Sequence, residues 1–564
     1  MSLFKGFTRI QTLFESLSLL GVDCVFGCVD ERLLPLSPQS TEGAAIRYYQ
    51  LMHEQAAVHA ADGYARATGK PGVVFLTTAS GITNAITGIA TAYSDSVPIV
   101  VIAGQLLPSP LPKEAMQELD IGGVMMPITK YACTINTNNQ SDVSMVLKNA
   151  LTISSDGRPG PVLVEITKAE TPGSSEETLN NSRLTRTIAT RPIMEKSLES
   201  AKQLIENARK PVLFIGGGVI AADAAEDLRE IAEKTHIPVA SSLLGIGAMD
   251  AGNPLFLGML GMHGTFAANK AVHHCDLLIS IGVRFSDRVT GKISGFSPKS
   301  KKIHVDVDPA EINKIISVDL PIVSDAKEFL SVLKDLLNYR KIRENSEHWT
   351  NEVVEWTRTV PRFDKSNSVL SPQSVIRMLN EYADKDTIVV TDVGQHQIWT
   401  AHHYSFSKPR TLLTSGGLGT MGYGLPAAIG AAGAYPRKSV ICVSGDGSFQ
   451  MNLQELITAV KYQLPIKIAI LNNGYLGMVR QWQELFYQGR YSEVKMSSPN
   501  FTKLANAYGA AGFSAHTEEE AKRVMGEAFH CNGPVLMEFD VVEEENVYPM
   551  VPPNHNNHQT ILSR

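Results

Sequence analysis

Two short glycine-containing stretches in the last third of the chain carry oxygen donors that could hold a metal ion. The stretch SGDGSFQMN (444–452) directly follows the apolar run SVICV, which places Asp446 at the end of a predicted buried strand. Burying a carboxylate without a partner is costly, so Asp446 is expected to hold something. A second apolar run, IKIAILNNG (466–474), ends in Asn473 and Gly474.

The sequence between these stretches predicts how they come together. NLQELITAVKYQL repeats apolar residues at the spacing of one helix face, namely Leu453, Leu456, Ile457 and Val460. A strand–helix–strand crossover makes its strands parallel, so Asp446 and Asn473 are expected at the carboxyl edge of one sheet, where open α/β folds bind ligands. One carboxylate and one amide suit Mg²⁺, which completes its octahedron with phosphate and water oxygens. The alternative is a plain turn in which Asp446 caps a helix.

Composition sets the class of protein. A chain of 564 residues, 43% hydrophobic and 19% charged, is too long for one core and predicts two to four soluble domains. The net charge of -6 gives no basic footprint for nucleic acid, and no apolar stretch reaches the ~20 residues that span a membrane. Lys5 and Arg9 interrupt the first apolar residues, so we expect no signal peptide and a cytoplasmic protein. Six scattered cysteines indicate neither a disulfide framework nor a zinc site.

Apolar runs that alternate with helical patterns predict parallel α/β sheets in three successive blocks. The predicted strands of the first block are GVVFL (72–76), PIVVIAG (98–104) and GPVLVEI (160–166). Those of the second are PVLFIGGGV (211–219), CDLLISIGVRF (275–285) and KIHVDVDP (302–309). Those of the third are TIVVTDVG (387–394), SVICVSGDG (439–447) and IKIAILNNG (466–474). We therefore expect three doubly wound α/β domains, at 1–175, 190–340 and 370–545, and a tail at 546–564.

Longer strings of the sequence identify a family. GDG followed about 25 residues later by NN resembles the thiamin diphosphate motif. Five strings resemble the large subunit of acetolactate (acetohydroxyacid) synthase, and the resemblance covers essentially the whole chain: SDRVTGK, LGMLGMHGT, TDVGQHQ, SGGLGTMGYGLPAAIG and LNNGYLGMVRQWQELFYQGRYSE. The resemblance implies a pyrimidine-binding domain, a central Rossmann-like FAD-binding domain and a diphosphate-binding domain. It implies three cofactors, thiamin diphosphate, Mg²⁺ and FAD, with the flavin structural because the net reaction is not a redox reaction.

The resemblance gives catalytic roles to three residues. Glu54, in MHEQAAVHAADGYARATG, matches the glutamate that protonates the aminopyrimidine so that C2 of the thiazolium can lose its proton. By periodicity alone it is only an acidic residue in the first turn of a helix, where the dipole favours it. Gln117 resembles the family's active-site glutamine, and Trp482 resembles the tryptophan that shapes the pocket for a second 2-keto acid. An isolated tryptophan is otherwise more often a core or interface residue.

Further positions match the family's cofactor contacts. Those implied for thiamin diphosphate are Val393, Gly394, Gln395, His396, Gly419, Met421, Gly445, Gly447, Ser448 and Met478. Those implied for Mg²⁺ are Asp446, Asn473 and the backbone carbonyl of Tyr475. Those implied for the flavin are Arg158, Gly216, Met262, His263, Arg284, Arg288 and Asp306. The glycine turn at Gly216 could bind an anion at a helix N-terminus, although such turns open many α/β helices.

The first block departs from the family pattern on the side that should face the substrate. Gly27-Cys28-Val29-Asp30-Glu31 replaces the usual Gly-Tyr-Pro-Gly-Gly turn, so glycines are lost and two carboxylates are gained. Negative charge there would repel a carboxylate substrate if it points inward. Three smaller departures are Thr78-Ala79-Ser80-Gly81 for Ser-Gly-Pro-Gly, Met116 for phenylalanine and Ser286 for aspartate.

The activity that the resemblance implies is the decarboxylation of pyruvate and the transfer of its two-carbon unit to a second 2-keto acid. The product is 2-acetolactate, or 2-aceto-2-hydroxybutyrate with 2-ketobutyrate as acceptor, in the first common step of branched-chain amino-acid synthesis. A thiamin and flavin enzyme of the pyruvate oxidase or glyoxylate carboligase type is an alternative. Glu54 argues against glyoxylate carboligase, and Trp482 favours the synthase. A non-catalytic paralogue that serves as a partner subunit is a further alternative, supported only by the altered turn at 27–31.

The resemblance also implies partners. Glu54 and Asp446 lie in different domains, which come from two subunits in the family's active sites. We therefore expect a homodimer or tetramer with active sites at the interface. A small regulatory subunit is common in the family. The tail after Asn546 is expected to order over the active site when ligands bind.

Overall fold

The protein is built around three parallel sheets of six strands each. The structure, a computed structural model, describes residues 7–28, 46–77, 79–105, 119–136, 140–167, 193–358 and 370–563. Neighbouring strands in each sheet pair in parallel, and helices lie between most successive strands. The three α/β blocks predicted from the sequence are therefore confirmed.

The first sheet lies in the N-terminal block. Its strands are β1 (Cys24–Gly27), β2 (Arg47–Gln50), β3 (Gly72–Leu76), β4 (Ile99–Gln105), β5 (Tyr131–Asn136) and β6 (Val162–Thr167). The helices are α1 (Phe7–Leu19), α2 (Glu54–Thr68), α3 (Ala79–Asn84), α4 (Ile86–Asp95), α5 (Ile121–Met125) and α6 (Gln140–Ser155). The strand order is β2-β1-β3-β4-β6-β5.

The central sheet has a different order. Its strands are β7 (Pro211–Ile215), β8 (Val239–Ser241), β9 (Phe256–Met259), β10 (Leu277–Ile281), β11 (Lys301–Asp306) and β12 (Leu320–Val323). The helices are α7 (Glu195–Asn207), α8 (Gly217–Ala221), α9 (Ala225–Thr235), α10 (Phe266–His274), α11 (Asp287–Thr290), α12 (Ala326–Leu336) and α13 (Tyr339–Trp356). The order β12-β11-β10-β7-β8-β9 is the 3-2-1-4-5-6 order of dinucleotide-binding sheets when the strands are numbered within the block.

The third sheet repeats the order of the first. Its strands are β13 (Ile388–Thr391), β14 (Leu412–Leu413), β15 (Val440–Gly445), β16 (Ile466–Asn472), β17 (Ala511–Ala515) and β18 (Val535–Asp540). The helices are α14 (Pro372–Tyr382), α15 (Gln395–His403), α16 (Gly424–Ala434), α17 (Asp446–Phe449), α18 (Leu456–Lys461), α19 (Gly477–Phe486), α20 (Phe501–Tyr508) and α21 (Glu518–His530). The order β14-β13-β15-β16-β18-β17 matches the first sheet strand for strand.

The helix between β15 and β16 is shorter than the sequence predicts. Leu453–Glu455 forms a 3-10 turn, and the α-helix covers only Leu456–Lys461. Leu456 is buried as expected, but Ile457 is 38% exposed and the other two predicted apolar positions are half-buried. The tighter 3-10 pitch rotates the helix face, so Ala459 is buried in place of Ile457.

The first and third blocks meet through α2 and α16, which pack backbone against backbone. A Cβ atom on Gly63 would overlap the carbonyl oxygen of Ala427, and one on Gly430 would overlap that of Ala60. The Tyr423 hydroxyl, just before α16, donates to Asp62 Oδ1 at 2.6 Å. Glycine is therefore required on both helices for this close approach.

We expect Gly430→Ala to lower the free energy of unfolding by about 1–3 kcal/mol, because the added methyl group must push α16 away from the α2 backbone. Urea unfolding followed by circular dichroism measures the change. Gly526→Ala is the matched control, since Gly526 lies inside α21 with only the Tyr382 hydroxyl within 4 Å of an added Cβ. That control should gain up to about 1 kcal/mol from helix propensity. Equal stability of the two variants would contradict the close packing.

Candidate cofactor-binding site

The carboxyl ends of adjacent strands bring two predicted metal-side residues to one edge of the third sheet. β15 and β16 are neighbours, with Gly445 paired to Leu471. Asp446 begins α17 directly after β15, and Asn473 directly follows β16. The crossover therefore places a carboxylate and an amide side by side at the sheet edge.

Asp446 is a buried carboxylate with neutral partners. It is 1% exposed, and its Oδ2 accepts a hydrogen bond from Ser498 Oγ at 3.0 Å. Burial raises the pKa of Asp446, and backbone hydrogen bonds from Gly447 and Asn473 oppose that rise. The largest contributions that oppose the rise come from the neutral Ser498 hydroxyl and from backbone N–H groups, and not from a cationic side chain. A bound cation would favour the charged form of this carboxyl group.

The Asn473 amide is oriented by hydrogen bonds at both ends. Its Oδ1 accepts from the Tyr475 backbone N–H at 3.1 Å, and its Nδ2 lies 3.4 Å from Gln395 Oε1. Asn473 is 8% exposed. The oxygen therefore faces the loop that carries Tyr475, whose carbonyl the sequence assigned to the metal.

The Gln395 side chain is engaged inside the protein. Its Nε2 donates to Gln481 Oε1 and to the Glu545 carbonyl, both at 3.0 Å. Gln481 in turn binds the backbone of Val547 through its amide nitrogen at 3.1 Å and its amide oxygen at 2.8 Å. A cofactor contact from Gln395 would therefore come from its backbone at the start of α15.

This donor set fits Mg²⁺ shared with a diphosphate. Among the described residues no group of three or more His, Cys, Asp or Glu side chains could hold a metal ion by itself. The edge instead offers the Asp446 carboxylate, the Asn473 amide oxygen and the backbone at Tyr475. Mg²⁺ binds through few protein ligands and takes the rest from phosphate and water.

His396 presents an unsatisfied nitrogen beside the same edge. Its Nε2 is buried and has no hydrogen-bond partner among the described residues. Burial lowers the pKa of His396 to about 3, so the ring is neutral near pH 7. A Cβ on Gly394 would lie 2.9 Å from the ring, and one on Gly445 would lie 3.0 Å from it. A neighbouring anion would favour the protonated ring, which could donate through this nitrogen.

The Asp392 carboxylate binds the backbone of two loops on the predicted cofactor side, at Val393 and at residues 422–424, and the sequence analysis did not single it out. Its carboxylate accepts backbone N–H hydrogen bonds from Val393 at 2.8 Å, Gly422 at 2.9 Å and Gly424 at 3.0 Å. Burial raises its pKa to about 6. The signal was present, because Asp392 follows the apolar run TIVVT as Asp446 follows SVICV.

A cavity of about 1180 Å³ extends between the three blocks and reaches this edge. Twelve of the predicted site residues line it: Arg158, Met262, His263, Arg284, Arg288, Asp306, Val393, Gly394, Gly419, Met421, Met478 and Trp482. Eight others belong to the sheet edge and the neighbouring loops but are not part of the cavity lining: Gln395, His396, Gly445, Asp446, Gly447, Ser448, Asn473 and Tyr475. The cavity therefore joins most of the predicted flavin side to part of the predicted thiamin side.

The central part of the cavity fits a dinucleotide. In the 3-2-1-4-5-6 order, ligands bind beyond the carboxyl ends of the two middle strands, which are β7 and β10 here. Gly217, Gly218 and Gly282 line the cavity at these strand ends. Gly216 instead packs against the Gly282 carbonyl, where a Cβ would overlap it. Its observed role is the close approach of the two strand ends.

The charged groups of this region also suit a dinucleotide. Arg158 Nη1 pairs with Asp308 at 3.1 Å and with Glu311 at 2.7 Å, and Arg284 and Arg288 also line the cavity. Arginines are suited to phosphate oxygens, and carboxylates accept hydrogen bonds from ribose hydroxyls. The region therefore offers partners for both parts of such a ligand.

Glu54 lies outside this cavity. It begins α2, as the sequence predicts, and its Oε2 accepts from Asn84 Nδ2 at 3.1 Å. The residues just before it are fixed by Glu455 of the third block, whose carboxylate accepts from the backbone N–H groups of Met52 at 3.1 Å and His53 at 3.0 Å. Glu455 is fully buried, and sequence reasoning missed it because it treated that segment as a regular helix.

Trp482 lines the cavity and packs beside the C-terminal tail. It packs edge-on against Phe486 with the ring centroids 5.2 Å apart, and it contacts a small cluster formed by Met262, Tyr548 and Met550. The Val551 N–H donates to the Met262 carbonyl at 2.7 Å. The tail therefore packs against Met262 and Trp482, two residues that line the cavity.

Part of the predicted substrate side lies outside the described residues. Gln117 is one such position, together with Met116, Thr78 and the segment 29–31. Cys28 is described: its Sγ donates to the Leu51 carbonyl at 3.4 Å, and burial raises its pKa. The thiol is therefore protonated at neutral pH. Ser286 lines the cavity and precedes α11.

The comparisons with known proteins identify the class first. Residues 8–124 match the thiamine pyrophosphate enzyme N-terminal TPP binding domain, residues 198–333 the central domain, and residues 392–539 the C-terminal TPP binding domain. These matches define a thiamine pyrophosphate enzyme, and each contains one of the three sheets in large part.

Similarity to curated proteins narrows the class. The chain is 42% identical to the acetolactate synthase large subunit of Haemophilus influenzae over 554 residues, which is 97% of this chain and 96% of that protein. It is 40% identical to the acetolactate synthase isozyme 3 large subunit of Escherichia coli over 559 residues, 96% of both chains. It is 42% identical to an acetolactate synthase of Mycobacterium bovis over 586 residues, 99% of this chain and 92% of that one. The chain belongs to the acetolactate synthase large-subunit family.

Asp306 in the cavity gives a pH-dependent prediction. Burial raises its pKa from 3.8 to about 6, so the folded chain binds more protons than the unfolded chain in this range. The resulting stabilisation is present below pH 3.8 and is lost as the pH rises through 6. We expect the unfolding free energy of Asp306→Asn, relative to the parent, to rise by about 1.4 kcal/mol from pH 5 to pH 7.5.

Urea unfolding without cofactors at both pH values tests this expectation. Asp386→Asn is the control, because Asp386 is exposed and its partner Lys408 lowers its pKa, which keeps its titration below this range. If the difference in unfolding free energy between Asp306→Asn and the parent is the same at both pH values, the raised pKa is contradicted.

Proposed function

We propose that this chain catalyses acetolactate synthesis: it decarboxylates pyruvate and joins the remaining two-carbon unit to a second 2-keto acid. The products are 2-acetolactate with pyruvate as acceptor and 2-aceto-2-hydroxybutyrate with 2-ketobutyrate. The observation that carries the proposal is the juxtaposition of Asp446 and Asn473 at a sheet edge, in a chain of the acetolactate synthase large-subunit family. The reaction would be the first common step of branched-chain amino-acid synthesis.

Thiamin diphosphate, when bound, supplies a carbon nucleophile that attacks the keto carbon and carries the two-carbon unit to the acceptor. Asp446, Asn473 and the Tyr475 carbonyl would hold Mg²⁺, which would hold the diphosphate. The backbone at Gly394 and the neutral His396 ring would face the diphosphate oxygens. Gly419 and Met421 would support the pyrimidine side, and Asp392 keeps their loop in place.

Glu54 would hold and exchange the proton that activates the cofactor. Its position at the first turn of α2 is fixed through Glu455 and the backbone of Met52 and His53. Within one chain Glu54 is not part of the cavity lining. We therefore infer that a second copy of the chain completes each site, which requires at least a homodimer.

FAD would occupy the central part of the cavity, against the strand ends at Gly217 and Gly282, with a structural role. Trp482, which lines the cavity, would shape the space for the second 2-keto acid. The tail beside it would help to exclude water from the reacting groups. Gln117 would complete the active site from the first block.

The setting of the enzyme is also a proposal. Members named as large subunits point to a small regulatory subunit as a partner. Among the described residues no helix has the length and apolar character to cross a membrane. We propose that the enzyme acts in the cytoplasm, without nucleic-acid or membrane partners, and that its domains span 1–175, 190–340 and 370–545.

Glu54→Gln should lower kcat for acetolactate formation by about 10²–10⁴-fold, because the amide cannot exchange the activating proton. The assay measures acetolactate from pyruvate with thiamin diphosphate, Mg²⁺ and FAD present. Glu195→Gln is the matched control, since Glu195 is also a first-turn helix glutamate but is exposed in the central block. Near-parent activity of Glu54→Gln would remove Glu54 from the mechanism, and no product from the parent would overturn the proposed function.

Asp446→Asn should raise the Mg²⁺ concentration for half-maximal thiamin diphosphate binding by at least about tenfold, which corresponds to about 1.4 kcal/mol. The cause is the loss of the charged ligand from a buried site. Tryptophan fluorescence during a Mg²⁺ titration at saturating thiamin diphosphate gives the value. An unchanged Mg²⁺ requirement would contradict a metal-binding role for Asp446 and would favour the alternative that GDG only forms a turn.

A further inference from the structure

At the C-terminal end of α4, one buried carboxylate contacts residues of both cofactor regions. Asp95 is the last residue of α4 and has a fully buried side chain. It belongs to the first block, yet it lines the cavity between the blocks. No cofactor role was given to it by the sequence.

Toward the thiamin side, Asp95 accepts hydrogen bonds from the loop that leads to Gly419. Its Oδ2 accepts from the Gly416 N–H at 2.9 Å, and its Oδ1 accepts from the Gly417 N–H at 2.6 Å. A Cβ on Gly417 would lie 2.6 Å from Asp95 Oδ1, so only glycine allows this approach. One turn earlier on α4, Thr91 shares a 2.6 Å hydroxyl hydrogen bond with Thr420. α4 therefore fixes this loop at both of its ends.

Toward the flavin side, the same helix end meets two arginines. Arg284 Nη2 lies 4.0 Å from Asp95 Oδ1. Arg158 Nε donates to the hydroxyl of the next residue, Ser96, at 2.9 Å. Both arginines line the dinucleotide region of the cavity. Both arginines therefore contact the end of α4.

The carboxylate itself is held by a buried ion network. Arg66 Nη2 pairs with Asp95 at 2.8 Å, and Arg66 Nε pairs with Asp62 at 2.6 Å. The Arg66 guanidinium also lies over the Tyr423 ring, 5.7 Å from its centroid. Arg66 therefore holds the Asp95 carboxylate in one position, and the contacts of Asp95 to both cofactor regions depend on that position.

We propose that Asp95 is a positioning residue that couples the two cofactor sites: binding at the flavin arginines strengthens thiamin diphosphate binding, and the reverse. The proposal rests on the proposed function, because it assumes that both cofactors bind this chain. Coupling between two sites is reciprocal and is typically about 5–150-fold in affinity. We expect the parent protein to bind FAD at least about fivefold more tightly when thiamin diphosphate and Mg²⁺ are present.

The test measures FAD affinity from flavin fluorescence, with and without saturating thiamin diphosphate and Mg²⁺. In Asp95→Asn the neutral side chain offers one oxygen to two N–H donors, and we expect the affinity ratio to fall below about twofold. Glu206→Gln is the matched control, because Glu206 is also a buried carboxylate that accepts a backbone N–H, from Asn338 at 3.1 Å, and it is not part of the cavity lining. Its ratio should equal the parent's.

Arg66→Lys provides a second route if Asp95→Asn does not fold, as judged by thermal unfolding. Lysine keeps the charge but lacks the planar guanidinium that bridges Asp62 and Asp95. The ratio of FAD affinities with and without thiamin diphosphate should therefore fall part of the way from the parent value to that of Asp95→Asn. A parent that binds both cofactors without any coupling, or variants that retain the full ratio, would overturn the inference alone. A parent that fails to bind FAD at all would overturn the flavin part of the proposed function as well.

Discussion

Hydrogen bonds from backbone N–H groups to buried carboxylates fix the loops on which the cofactor site depends. Asp392 accepts three of them, and Glu455 and Asp95 accept two N–H groups each from a segment in another part of the chain. Hydrogen bonds to charged groups contribute roughly 1.5–3 kcal/mol, and removing the acceptor leaves buried donors unsatisfied. Each carboxylate therefore determines the position of a loop through the N–H groups that it binds.

Asp446 differs from these residues in one respect. Like Asp392 it follows a buried strand, but its observed partners are a hydroxyl and nearby backbone groups of its own sheet edge. In the proposed function its remaining oxygen would bind Mg²⁺ rather than a distant loop. The same physical constraint, a carboxylate removed from water, fixes loops at Asp392 and would serve metal binding at Asp446.

The sequence predicted the sheets well because strands buried on both faces are continuous apolar runs, as in SVICV and IKIAIL. It also predicted that Asp446 and Asn473 would lie at one edge, because crossover geometry is nearly invariant. It failed at Glu455 and Ile457, where a 3-10 turn rotates a face that simple helical periodicity had assigned. It could not find Asp95 or Gln481, because their partners lie far away in the chain and no local pattern specifies them.

The backbone contact between α2 and α16 has a consequence for how the chain folds during synthesis. Tyr423 and Asp62 are 361 residues apart in sequence, and most of α2 is buried in the finished protein. At roughly 5–20 residues per second, the ribosome needs about 20–70 seconds to make the residues between them. During that interval the glycine- and alanine-rich face of α2 lacks its native cover, so the first domain leaves the ribosome with an incomplete surface. A contact that has no room for a single side chain in the finished protein therefore leaves a helix face uncovered in the nascent N-terminal domain.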